Sequence, residues 1–150
     1  MAKIEQGMVI QAPEEQVFSY LADLSRHSEW GNTDHRLQIE KTSEGPVGQG
    51  STFRSVGHQF GQNEDLLTIT EHAPNQRLAF ESDGKAGLIR HAFEITPAEG
   101  GVRVTKSFEA VTSKLPFSLF LPIVRMFVLP GALQGDLQRI KERLEGQPSG

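Results

Sequence analysis

The sequence contains no cysteine. Disulfides, thiolate metal ligation and thiol catalysis are therefore excluded. The composition fits a reducing compartment, and the cytoplasm is the expected location. Basic charge is also short: 15 Lys and Arg against 19 Asp and Glu leave a net charge of −4. A nucleic-acid partner demands a basic face, so none is expected. The first fifteen residues hold no apolar stretch that would open a secretion signal. One segment, 115–129, is strongly apolar, yet it falls short of the ~20 residues a spanning helix needs. It also carries Arg125, and Pro116, Pro122 and Pro130 punctuate it. It is expected to lie over an apolar cavity rather than to cross a membrane. Five histidines (His27, His35, His58, His72, His91) show neither an i, i+4 pair nor an HExxH motif, so no metal and no cofactor are expected.

What is present is the pattern of one α+β domain spanning 1–150, structured over about 3–145. Residues 3–10 alternate as a half-buried strand, and Ala12-Pro13 ends it. Pro13, Glu14 and Glu15 suit a helix N-terminus, with Val17, Phe18, Leu21 and Leu24 at helical spacing behind them. Ser25 is placed to cap a second short helix running toward Trp30. Short strands follow at 36–41, 51–56, 64–71, 77–82, 89–96 and 102–110, separated by turn residues and without intervening helices. That spacing predicts an antiparallel meander of about seven strands in all. Leu119, Ile123, Phe127, Pro130, Leu133, Leu137, Ile140 and Leu144 then form one helical stripe that Gly146 stops. Asp136 and Arg139 read as lying off that stripe.

Several segments carry a resemblance together: Ala12-Pro13-Glu14-Glu15-Gln16-Val17-Phe18, Glu29-Trp30, Gly45-Pro46-Val47-Gly48-Gln49-Gly50-Ser51, Ala73-Pro74-Asn75-Gln76-Arg77-Leu78-Ala79-Phe80, and Arg90-His91-Ala92-Phe93-Glu94-Ile95. In this order they resemble a bacterial member of the START/Bet v 1-like (SRPBCC) superfamily, in its polyketide cyclase/dehydrase and lipid-transport branch. The resemblance implies a helix-grip fold: a curved antiparallel sheet wrapped on a long C-terminal helix, with two short helices after the first strand. It also implies an internal cavity for a lipid, polyketide or aromatic compound. No catalytic motif of that branch maps onto the chain, so the reaction, if any, stays open.

The glycines of 45–50 feed a strand rather than a helix and lack a Lys-Ser/Thr pair, so they read as a turn, not a phosphate cradle. His91 shares an inward face with Phe93 and Ile95, where an imidazole either contacts a ligand, acts as a general base, or bonds water at a cavity mouth. Tyr20 and Trp30, the only Tyr and Trp, join an apolar body to one polar tip and suit ligand orientation or plain packing. Arg54 reads as solvent-facing, and Asp23, Glu64 and Asp65 as solvated surface. The expected lining is Tyr20, Trp30, Phe53, Phe80, His91, Phe93, Phe120, Val124 and Phe127, with His91 the one catalytic candidate. Burying about 300 Å² of ligand there gains roughly 7 kcal/mol gross, from which association removes at least about 4 kcal/mol. Micromolar affinity therefore requires polar complementarity as well. A small hydrophobic molecule is the expected partner, used for binding or for cyclase/dehydratase chemistry, and a homodimer stays open.

Overall fold

The computed structural model describes residues 3–26, 29, 38–57, 63–84, 87–112, 122 and 129–146. β1 (Ile4–Ile10) leads into α1 (Glu14–Ala22) and a 3-10 turn at Leu24–Arg26. Six strands follow: β2 (Gln38–Lys41), β3 (Thr52–Gly57), β4 (Asn63–Ala73), β5 (Arg77–Gly84), β6 (Gly87–Ala98) and β7 (Gly101–Ala110). The last element is α2 (Leu129–Glu145). The strands form one antiparallel sheet in the order β1-β7-β6-β5-β4-β3-β2. Among the described residues only the β1–β7 contact joins strands distant in sequence, as a meander closed by its first strand should.

Local chemistry explains the boundaries. Pro13 is the N-cap of α1 in extended geometry, and its carbonyl accepts from Gln16 and Val17 while Glu14 and Glu15 fill the first turn. Pro130 is the second residue of α2, a position that needs no intrahelical N–H. Gly146 ends α2 by donating to the Glu142 carbonyl at 3.0 Å, where a Cβ would crowd that oxygen. The expected Ser25 cap is corrected: Asp23 supplies the oxygen, accepting from the Ser25 amide at 3.2 Å and from its hydroxyl. Asn75 turns the β4–β5 hairpin at φ 64, a conformation Asn tolerates. Pro97, one residue beyond the strand expected at 89–96, stays inside β6 opposite Val102.

The two faces differ in chemistry. On the outer face, arginines stand between glutamates of neighbouring strands: Arg54 between Glu40 and Glu64, Arg77 between Glu71 and Glu94, and Arg90 between Glu81 and Glu109. Such exposed pairs add little stability each, but they fix which face is wet. The inner face is apolar and receives α1 and α2. A bulge between Ile69 and Glu71 reverses the parity of β4, so Leu67 and Ile69 point inward before it and His72 after it, edge-on to Phe18 at 5.0 Å. The core unites Ile10, Val17, Leu21, Phe93, Val104, Leu137 and Ile140, each at most 1% exposed. α2 is fastened over β1: Glu145 accepts from the Gln11 amide at 2.8 Å, and Lys141 donates to the Val9 carbonyl at 3.4 Å.

Candidate ligand site on the inner face of the sheet

Cross-strand register sorts the inner face into two ends. At one end Ile95, Val104, Val102 and Ile10 lie under α1 and α2 and are sealed. At the other, where β3, β5 and β7 finish, Ile4, Ile89, His91 and Phe108 are only half-buried. This second end also carries the polar groups. Ser55 faces Asp65 across β3–β4, Ser82 faces Leu67 across β4–β5, and His91 faces Phe80 across β5–β6. Ser55, Asp65, Ser82 and His91 thus step diagonally across four strands of an otherwise apolar surface.

His91 is held between rings. Phe80 stacks on it at 4.8 Å and 14°, and Phe108 meets it edge-on at 5.6 Å and 83°. Its Nε2 lies 3.4 Å from the Ser82 hydroxyl, and its Nδ1 is buried without a partner. Burial, with the Lys106 charge second, pushes its pKa down to about 3. The imidazole is therefore neutral at ordinary pH and a weak base. Asp65 moves the opposite way: burial first and the Asp83 charge second raise its carboxyl above the usual range. Reading Asp65 as solvated surface is thus corrected, because it follows Leu67 and Ile69 onto the inner face.

Two polar clusters brace the site. Lys106, 3% exposed, donates to Asp136 at 2.5 Å, and Asp136 accepts from Arg139 at 2.8 Å. Burial lowers the Lys106 pKa, with the Asp136 charge opposing. Asp136 therefore belongs to the packed side of α2, three residues after Leu133 and four before Ile140, and its assignment off the stripe is corrected. The second cluster ties α1 to the end of α2. Tyr20 donates to Glu29 at 3.1 Å, Arg26 donates to the same carboxylate at 3.0 and 3.2 Å, and Arg143 stands 3.9 Å from it. Burial, with Glu29 next, pushes the Tyr20 hydroxyl up to about 12. The polar tip expected to orient a ligand is engaged by Glu29 instead.

Of the other expected lining residues, Phe53, Phe80 and Phe93 are packed at 1%, 1% and 0% exposure. Trp30, Phe120, Val124, Phe127 and nearly all of the apolar 115–129 segment lie outside the described residues, as do His27, His35 and His58. Sequence reasoning missed Ser82, Asp65 and the Lys106–Asp136 pair as site groups. The signal for Lys106 was its phase with Val102, Val104 and Phe108. Elsewhere, an open depression of about 500 Å³ lies between the start of α1 and the β6–β7 turn, lined by Gln11, Pro13, Glu14, Gly100 and Val102 among others. Among the described residues no three metal-ligating side chains gather, and no helix is long and apolar enough to cross a membrane.

A sheet gripping a C-terminal helix in this strand order defines a helix-grip protein. The chain belongs to the family described as polyketide cyclase/dehydrase and lipid transport, whose model matches residues 1–145. A START superfamily protein from Mycobacterium smegmatis is 15% identical, with a TM-score of 0.76 over 96% of this chain and 97% of that one. The di-domain aromatase/cyclase StfQ of the steffimycin biosynthetic pathway is 14% identical, with a TM-score of 0.74 over 96% of this chain and 50% of that one. The Aha1 dimer from Colwellia psychrerythraea is 17% identical, with a TM-score of 0.62 over 97% of each chain. These likenesses show the fold. No curated protein matches the sequence.

Proposed function

We propose that the protein binds a small apolar or aromatic molecule against the half-buried end of the inner face, around His91, Ile89 and Phe108. The observation that carries this reading is the contrast within one surface: a sealed core under α2 at one end, and at the other half-buried apolar residues interrupted by polar groups, among them the unpartnered His91 Nδ1. Binding sites have that composition, mostly apolar walls with a few convergent polar groups. Family membership supports a hydrophobic ligand. The absence of cysteine favours a reducing compartment, and we place the protein in the cytoplasm.

A cyclase or dehydratase would need a group that takes up and returns a proton near neutral pH. His91 is poorly suited, since its conjugate acid forms only near pH 3, and it is the one side chain bonded to the Ser82 hydroxyl among the described residues. Binding without proton transfer by His91 is the better-supported reading. A thermal-shift and native mass-spectrometry panel of lipids and aromatic compounds tests it. Retained one-to-one complexes with raised melting temperature are expected for apolar ring compounds. A panel with no complex above background would overturn the proposal.

A further inference from the structure

We infer that the ligand carries a hydroxyl on an aromatic ring, and that the Asp65 carboxylate accepts its hydrogen bond at the polar end of the inner face. This rests on the ligand-binding reading above and specifies the chemistry of its ligand.

Three observations converge. First, Gly84 lets the carboxyl lie across β5: a Cβ at that position would stand 1.8 Å from Asp65 Oδ1, so any other residue would displace it. No side chain or backbone amide among the described residues bonds that carboxylate. A half-buried carboxylate is an acceptor, and its complement is a donor. Second, His91 Nδ1, on the same diagonal beyond Ser82, is buried and unpartnered. A neutral imidazole exchanges donor and acceptor roles by tautomer, so it serves a hydroxyl in either sense. Third, the cations that share the inner face among the described residues are engaged. Lys106 is held by Asp136, and Lys41 donates to the carbonyls of Ser43, at 2.8 Å, and Gly45. A ligand carboxylate would meet Asp65 without a free counter-charge. A bare hydrocarbon would cover Asp65 and leave it dry and unpaired, a penalty that discriminates strongly. The walls favour a flat ring, because Phe80, His91 and Phe108 already stack and meet edge-on there.

The test compares three probes of one shape on the full chain at pH 7 by titration calorimetry: 2-naphthol, naphthalene and 2-naphthoate. The expected order is naphthol tightest, by about tenfold over naphthalene, with naphthoate weakest. Asp65→Ala should abolish the roughly tenfold preference, weakening 2-naphthol while naphthalene, relieved of covering an unpaired carboxylate, binds more tightly. Gly84→Ala, which pushes the carboxyl aside, should act in the same direction. Equal affinity for naphthol and naphthalene, or no loss in folded Asp65→Ala, overturns this inference while ligand binding stands. If none of the three probes binds, both readings fall. Circular dichroism checks the fold of each variant, and the probe order on the unsubstituted chain decides even if both variants unfold.

Discussion

Acid should destabilise the fold through His91 in a calculable way. The unfolded chain binds a proton on this side chain at a pKa near 6.5, whereas the folded imidazole does so only near 3. Between those values the unfolded state holds more protons than the folded one, so stability falls as pH falls through this window. Each pH unit inside it costs about 1.4 kcal/mol. Going from pH 7.5 to pH 4.5 should therefore remove roughly 3 kcal/mol through this one residue, and about 4 kcal/mol would be gone near pH 3. The control is His91→Phe, which keeps an aromatic ring between Phe80 and Phe108 and cannot titrate. Urea denaturation of both proteins at several pH values isolates the His91 term from every other group. The expected result is a gap that shifts by roughly 3 kcal/mol in favour of the variant between pH 7.5 and 4.5. Parallel curves would refute the reasoning, as would an NMR titration in which His91 protonates near 6.5.

Asp136→Asn should destabilise by about 3–5 kcal/mol, since it leaves the buried Lys106 uncompensated. Lys106→Met with Asp136→Leu should recover most of that loss, as a double-mutant cycle in urea would read. Leu137→Ala, at a site with 0% exposure under the sheet, should cost about 2–5 kcal/mol by thermal or urea unfolding. Gly101→Ala should lower the melting temperature measurably, because its Cβ would stand 2.1 Å from the Ile10 carbonyl oxygen where β1 and β7 meet. An unchanged melting temperature there would show that the β1 end shifts freely.

Much of the fold was legible because alternation and helical stripes are written directly into apolar spacing. Leu133, Leu137, Ile140 and Leu144 announced the buried side of α2, and His91, Phe93 and Ile95 announced the inner face of β6. What escaped were charged residues in apolar phase. Lys106 sits in register with Val104 and Phe108, yet a lysine is ordinarily read as solvated because isolated burial is so unfavourable. Its partner Asp136 lies 30 positions away, and only the folded chain brings the two together. Asp65 escaped for a similar reason: its inward placement depends on the pairing of β4 with β5 and on the absence of a side chain at Gly84. The β4 bulge was invisible because a single extra residue leaves no compositional mark. Tyr20 is buried, but Glu29, its acceptor, offered no spacing signal across the intervening turn.

A ligand settling at the half-buried end of the inner sheet should perturb the nuclei that line it. Chemical-shift mapping of the isotopically labelled protein with 2-naphthol reads this. Perturbations clustered on Ile4, Ser82, Ile89, His91 and Phe108 are the expected result. Perturbations confined to the outer-face arginines, or to Gln11, Pro13 and Val102 around the open depression, would contradict the account.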